Sequence, residues 1–379
     1  MIYLNSAAGT KPYPEVIETI TDVLENHWGN PHDSTSFGHD AQMIIHNVTQ
    51  QVADDINCDP DEIIWTSGAA EANSLAIMGI LEYNSDMNLH TTLLEHASIN
   101  ELTKHLPSHR FSHTSNDSEG YINQEALENA LIWYRTHGVR VLVSIAISNS
   151  EIGAIQNIAA ISKLVHRYNG ILHCDATQVY GWTKIDVKEA GIDLMSVSGQ
   201  KIHATKGVGF LYVKNGIALQ PLIYGSQQEG RRAGTLPTHL IAGFGKALEL
   251  ARSCDVWSKV KKMRDKMQDE LLKIQGAHIN GPKEQRLLKM PNIISLTIDG
   301  VNAETLVTMC SLLDIYISKG SACKSYEPTP SETLLAIGLT EQQALNTIRI
   351  SLDEFNTEEE IMRAADIITQ LVEQIRKNT

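Results

Sequence analysis

The sequence predicts an α/β protein: a large domain on a mainly parallel sheet, followed by a smaller α+β domain. Three observations carry this expectation. Apolar, strand-like runs alternate with helical patterns over the first two thirds of the 379 residues. Polar residues with distinctive chemistry stand just past the ends of those runs. Beyond about residue 274 the pattern changes to short strands, a polar loop and a final amphipathic helix.

The strand-like runs are Glu62–Thr66, Leu89–Leu94, Val139–Ile147, Gly170–Cys174, Leu194–Val197 and Gly209–Val213. Helices are expected between them at Ala70–Glu82, Gln124–His137 and Asn157–Tyr168. Such an alternation gives a parallel sheet whose ligands sit at the carboxyl ends of the strands. Asn149, Asp175, Gln178 and Lys201 all fall just past strand ends, so one site can collect them. A helical stretch from about 236 to 274 is expected to link the domains. Strands follow at Asn292–Ile298, Ile315–Ile317 and Arg349–Leu352, with a polar, proline-bearing loop at Ser318–Ser331 and a last helix over about 357–376. The expected division is a large domain at 14–257 and a small domain made of 1–13 and 258–379. There is no internal repeat or low-complexity segment.

A formal net charge of −14 argues against direct binding of nucleic acid or an anionic membrane. The basic cluster Lys259 to Lys266 reads as a solvated helix face. The five cysteines, Cys58, Cys174, Cys254, Cys310 and Cys323, are scattered and form no CxxC pair. That fits free thiols in a reducing cytoplasm better than disulfides or a zinc site. The start, Met1-Ile2-Tyr3-Leu4-Asn5, lacks the pattern of a signal peptide. The run Val139–Ile147 is too short to span a bilayer.

An aspartate at one strand end (Asp175) and a lysine at the next (Lys201) match the needs of pyridoxal phosphate (PLP) chemistry. The amine forms a Schiff base, and the carboxylate keeps the pyridine nitrogen protonated. A surface lysine is the competing reading of Lys201, but the turn Lys206-Gly207-Val208-Gly209 argues against casual exposure. Gly68-Ala69-Ala70-Glu71 follows a strand and opens a helix, where free N–H groups can hold phosphate or simply pack. His96 at another strand end can stack on a planar ring and move protons, or can be structural. Gly230 to Thr235 reads equally as a phosphate contact or a solvated turn. Arg349 inside an apolar run needs a partner, either a substrate carboxylate or an internal acid such as Asp353 or Glu354. Cys323, flanked by small polar residues and near Lys319 and Lys324, suits a nucleophilic thiolate. The other four cysteines sit in apolar or helical contexts and read as inert.

In order and spacing these pieces resemble the cysteine desulfurases of the NifS/IscS type, within the class V aminotransferases of PLP fold type I. The resemblance runs along essentially the whole chain. It begins at Tyr3-Leu4-Asn5-Ser6-Ala7-Ala8 and Gly29-Asn30-Pro31, and passes through Thr66-Ser67-Gly68-Ala69, Glu95-His96, Asn149-Ser150-Glu151 and Asp175-Ala176-Thr177-Gln178. It ends with Ser198-Gly199-Gln200-Lys201, Arg232-Ala233-Gly234-Thr235, Gly320-Ser321-Ala322-Cys323 and Ile348-Arg349-Ile350-Ser351-Leu352. The resemblance implies a seven-stranded sheet and a role for each matching residue. Lys201 would carry PLP, Asp175 would meet the pyridine nitrogen and Gln178 the ring hydroxyl, and His96 would stack on the ring and assist proton transfer. Ala69, Ala70, Ser198 and Gln200 would hold the phosphate. Thr235 would reach the site of a second subunit, which implies a homodimer. Asn149 and Ser150 would contact cofactor, Asn149 also substrate, and Arg349 would bind the carboxylate of L-cysteine. Cys323 would take the sulfur as a persulfide and pass it, on a mobile loop, to an acceptor protein.

The sequence departs from the family pattern at Asn5 (aspartate), Ala70 (threonine), Ser150 (asparagine), Gln200 (histidine) and Asp353 (glycine). The expected activity is conversion of L-cysteine to L-alanine. Alternatives on the same fold are a selenocysteine lyase, an aminotransferase or an epimerase, or a non-catalytic scaffold. Iron–sulfur assembly, tRNA thiolation and DNA phosphorothioation are the pathways the family serves. The sequence stops soon after its last helix, which favours a dedicated partner, in nucleic-acid sulfur modification, over a scaffold-docking tail.

Overall fold

The computed structural model describes residues 1–252, 255–283, 288–319 and 329–377. In chain order the strands are β1 (Ile2–Tyr3), β2 (Ile63–Thr66), β3 (Met87–Thr92), β4 (Phe111–Thr114), β5 (Arg140–Ala146) and β6 (Ile171–Asp175). They continue with β7 (Leu194–Ser198), β8 (Gly209–Val213), β9 (Ala277–Ile279), β10 (Ile293–Ile298), β11 (Ile315–Tyr316) and β12 (Thr347–Ser351).

Strands β2 to β8 form one seven-stranded sheet in the order β2-β8-β7-β6-β5-β3-β4. The pairs among β3, β4, β5, β6 and β7 are parallel, and β8 runs antiparallel to both β7 and β2. β2 therefore points the same way as β7, and every strand except β8 ends on one edge. Strands β7 and β8 are buried at every residue, as expected when helices cover both faces. Several helices begin where the sequence supplies a side-chain cap. Asn123 accepts the N–H of Ala126 before Gln124–Thr136, and Asn157 that of Ala160 before Ile158–Arg167.

Two expectations are corrected. The single helical stretch over 236–274 is two helices, Thr238–Ala251 and Val256–Leu271. Asp255 caps the second by accepting the N–H of Ser258, so a capping residue restarts the helix where periodicity alone runs on. Within the basic cluster, Lys259, Lys261, Lys262 and Lys266 are exposed, but Arg264 is buried and its Nη2 lies 2.9 Å from Asp265. Its position on the Val260–Met263–Met267 face overrides the charge pattern.

Apolar side chains gather in two main clusters. One surrounds the large sheet and includes Ile56, Trp65, Val143, Leu172, Val197, Phe210 and Phe244. The other joins Leu4 to Val260, Met267, Leu296, Ile350, Ile361 and Leu371. It packs around the antiparallel sheet β12-β10-β9 and the parallel pair β1-β11. The N-terminal strand is then tied across β12: Ser351 N–H donates to Leu4 O (2.9 Å), Ser6 Oγ to Leu352 O (2.6 Å) and Ala7 N–H to Ser351 Oγ (3.0 Å). These bonds carry residues 7 and 8 to the carboxyl edge of the large sheet. No helix among the described residues is long and apolar enough to cross a membrane.

The approach of β2 to β7 across β8 leaves no room at Gly209. A Cβ there would lie 2.3 Å from Val197 O and 2.8 Å from Gly68 Cα. Gly209→Ala should therefore destabilise the protein by about 3 kcal/mol, read as a lowered midpoint in thermal or urea unfolding.

Candidate active site

At the carboxyl edge the strand ends enclose a cavity of about 530 Å³, a size suited to a small cofactor and substrate. Its lining includes Ala69, Ala70, His96, Asn149, Ser150, Asp175, Gln178, Ser198, Gln200, Lys201 and Arg349. Residues expected from separate strand ends are thus brought together. Thr235 is exposed and lies outside this lining. Cys323 and Cys254 lie outside the described residues; Cys58, Cys174 and Cys310 are buried. Burial pushes the Cys58 and Cys310 thiols up to about 12, so neither competes as a thiolate near neutral pH.

Lys201 follows β7 through a single 3₁₀ turn, Gly199–Lys201. Its Nζ donates to Ala7 O (2.6 Å) and Ala8 O (2.8 Å), the residues delivered by the N-terminal strap. Gln178 Nε2 donates to the same Ala7 O (3.1 Å). Asp175 closes β6. Its Oδ1 accepts the Thr177 N–H (2.9 Å) and its Oδ2 accepts Asn73 Nδ2 (2.8 Å).

The helix Ala69–Tyr83 starts at Gly68, whose φ of +148° suits a residue without a side chain. Its first-turn N–H groups have no intrahelical acceptors and can cradle an anion. Ser198 Oγ lies 3.7 Å from where a Cβ on Gly68 would stand. Arg232, a candidate phosphate contact, instead clamps Glu71: Nε–Oε1 is 2.7 Å and Nη2–Oε2 is 3.3 Å. Burial would raise the Glu71 carboxyl, but hydrogen bonds from Arg232 and Ser67 prevail and hold it below the usual range.

His96 caps the short helix Ala97–Thr103, with Nδ1 accepting the Ser98 N–H (3.1 Å). A nitrogen that accepts carries no proton, so neutral His96 holds its proton on Nε2. Arg349 donates through Nη1 to Ser150 O (3.1 Å) and through Nη2 to Asn5 Oδ1 (2.8 Å). Asn149 is occupied structurally: Nδ2 donates to Leu94 O (2.8 Å), and Oδ1 accepts the N–H groups of Glu151 (2.8 Å) and Ile152 (3.0 Å).

Pattern reading gave no role to Glu95, although it stands beside His96. Its carboxyl is buried between β3 and β5. Oε1 accepts Thr92 Oγ1 and Oε2 accepts the Ala146 N–H, each at 2.8 Å. Burial, with Asp175 nearby, pushes it up to about 8. Glu151 is likewise raised by burial, against the hydrogen bond from Ser331 and the proximity of Arg349. A glutamate placed at a strand end beside apolar Leu94 was the available signal for Glu95.

The aminotransferase class-V family matches residues 2–363. The chain belongs to this family. Among curated class-V relatives, the "Cysteine desulfurase IscS" of Clostridium botulinum is 35% identical, covering 99% of this chain and 95% of its own. The protein of the same name from Shewanella oneidensis is 37% identical over 99% of this chain and 94% of its own. Among solved structures, a "NifS-like protein" superimposes with a TM-score of 0.89 at 29% identity, covering 98% of this chain and 99% of its own. "SspA in complex with cysteine" gives 0.80 at 29% identity, covering 94% and 100%.

Class-V enzymes work with PLP, and the residues here fit it. An amine, a buried carboxyl, an exposed imidazole and a helix start with Gly68 and Ser198 line one cavity. Lys201 would hold the aldehyde carbon, Asp175 the ring nitrogen, and the Ala69 and Ala70 N–H groups with Ser198 the phosphate. Ala70 supplies only its backbone, and Gln200 can still donate through its amide.

Glu95 yields a pH prediction. Its folded pKa of about 8 exceeds the ordinary 4.5, so the folded state holds the proton more tightly. Its contribution to stability is present below the ordinary value and lost as pH rises through the folded one. Glu95→Gln should therefore gain stability relative to wild type between pH 5 and pH 9, measured as the difference in urea midpoints. A constant difference across that range would refute the assignment.

Proposed function

We propose that this chain is a PLP-dependent cysteine desulfurase that converts L-cysteine to L-alanine and receives the sulfur on Cys323. The observation that carries the reading is one cavity holding Lys201, Asp175, His96 and Arg349, in a chain 35% identical, almost end to end, to a protein named for that activity.

PLP, when bound, supplies an electron sink at the substrate's α-carbon. Arg349 orients the amino acid by its carboxylate, since a guanidinium offers paired donors. Lys201 would take the proton released at the α-carbon, and His96, with its proton on Nε2, would move protons beside the bound ring. The thiolate of Cys323 attacks the substrate's sulfur. The C–S bond breaks, the S–S bond forms, and the β-carbon gains the proton that the Cys323 thiol gave up. No external oxidant is needed: one cysteine and one thiol become one alanine and one persulfide. A thiol of an acceptor protein then takes the outer sulfur, in iron–sulfur assembly, tRNA thiolation or DNA phosphorothioation.

The roots of the segment carrying Cys323 support its reach. Ser318 exchanges backbone hydrogen bonds with Arg349 (3.0 and 2.7 Å), and Thr333 lines the cavity. Cys323 is five residues from Ser318, at most about 17 Å of extended chain. The reading includes a homodimer in which Thr235, exposed in one chain, meets the partner's phosphate cup. It also includes a cytoplasmic location, in keeping with buried free thiols. We further propose the division into 14–257 and 1–13 with 258–379, which the two apolar clusters support.

Alanine and sulfide should be assayed with PLP, L-cysteine and a reductant. Wild type should release both in equal amounts. Cys323→Ala should lose sulfur transfer while keeping the yellow cofactor, and Lys201→Ala should lose both. Desulfuration retained by either variant refutes the assignment. Arg349→Lys should raise KM for cysteine about tenfold, because a single ammonium cannot replace the paired donors; an unchanged KM would remove Arg349 from substrate binding.

A further inference from the structure

Asn73 is wholly buried on the helix Ala69–Tyr83, whose other buried residues, Leu75, Ala76, Ile77 and Ile80 among them, are all apolar. Its amide nitrogen donates in two directions. One bond goes to Asp175 Oδ2 at 2.8 Å and the other to Ser98 Oγ at 3.0 Å. Ser98 Oγ in turn lies 2.9 Å from His96 Nδ1. A continuous hydrogen-bonded path therefore runs from Asp175 through Asn73 and Ser98 to His96.

The directions of the bonds follow from the donors. Asn73 Nδ2 has two hydrogens, and both are used. Ser98 Oγ accepts one of them, leaving its own hydrogen for His96 Nδ1, which already faces the Ser98 N–H. The Ser98 N–H contact requires Nδ1 to be unprotonated, and the Ser98 hydroxyl then donates to the same nitrogen. The carbonyl end of Asn73 tells the same story from the other side. Oδ1 is buried and has no hydrogen-bond partner among the described residues. An unsatisfied buried oxygen is costly, so packing does not account for an asparagine here, whereas its two donated bonds do.

We propose that Asn73 is a positioning residue of the active site: it aims the Asp175 carboxyl and, through Ser98, holds His96 with its proton on Nε2. Asn73 touches neither cofactor nor substrate in this account. It sets two groups that would meet the cofactor, so one buried amide would couple the ring-nitrogen contact to the His96 contact. This inference rests on the PLP site proposed above.

The test uses Asn73→Leu, which fills similar space, keeps helix propensity and removes both donors. Ser98→Ala, at a half-buried site, cuts only the His96 arm. Three readouts are taken: PLP affinity by absorbance, the pH titration of the bound cofactor's absorption band, and the ¹⁵N chemical shifts of the His96 ring in the PLP-free protein. Asn73→Leu should weaken PLP binding about tenfold, shift the titration midpoint by about one unit and mix the His96 tautomers. Ser98→Ala keeps the backbone N–H on Nδ1 but loses the hydroxyl, so it should mix the tautomers partway, measurably against wild type, and leave affinity and titration at wild-type values. The proposal is overturned if Asn73→Leu leaves the titration and the tautomer unchanged, or if Ser98→Ala reproduces the loss of PLP affinity. If Asn73→Leu does not fold, the Ser98→Ala shifts decide alone: an unmixed His96 tautomer overturns the relay. None of these readouts needs turnover. Failure to desulfurate cysteine with all three behaving as stated would count against the proposed reaction and not against Asn73.

Discussion

Asp175 ends a strand whose residues are nearly all buried, and a carboxyl in that position needs donors from the protein. The backbone turn after β6 supplies one, the Thr177 N–H. The other comes from Asn73, one turn into the helix that also opens the anion cradle at Gly68. Holding this carboxyl thus fixes where the helix Ala69–Tyr83 sits over the sheet. That placement in turn sets the cradle relative to Asp175, both of which line the cavity.

Among the carboxyls that line the cavity, Glu95 and Asp175 are neighbours in different surroundings. Asp175 accepts a side-chain amide and a backbone N–H, while Glu95 sits between β3 and β5 with a hydroxyl and one backbone N–H. Burial raises Glu95 to about 8, and Asp175 adds to the effect. When like groups are this close, the protein separates their protonation by environment. Glu95, held toward its neutral form by burial, still ties β3 to β5 through Thr92 and Ala146.

The sequence showed the chemistry that interrupts apolar runs. Asp175, Lys201, His96 and Arg349 each stand at or inside a strand signal, where their polarity is conspicuous, and the parallel sheet brings the first three to one edge without further information. The contacts that orient them were not legible. Arg349 meets Asn5 across 344 positions of sequence, and only the pairing of β1 with β11 and the strap over β12 brings them together. Asn73 in an apolar helix looks like a propensity defect until its two acceptors are seen. Asp255 gave a capping signal inside a stretch that periodicity read as continuous, and Arg264 gave a charge inside a face that packing required to be buried.

The departure at residue 5 then has a physical reading. An aspartate there would meet Arg349 as an ion pair; asparagine meets it as a neutral acceptor at 2.8 Å, and Ser150 offers a second neutral oxygen. Neutral acceptors aim a guanidinium without cancelling its charge, whereas a carboxylate does both. Glu151, the acid next to Ser150, is pushed by burial toward its protonated form and so opposes Arg349 less than a free carboxylate would. The two neutral oxygens leave the Arg349 charge uncancelled within the cavity. In the reading proposed above, Arg349 and the helix start at Gly68 are separate anion sites, so a carboxylate and a phosphate would not compete for one cation.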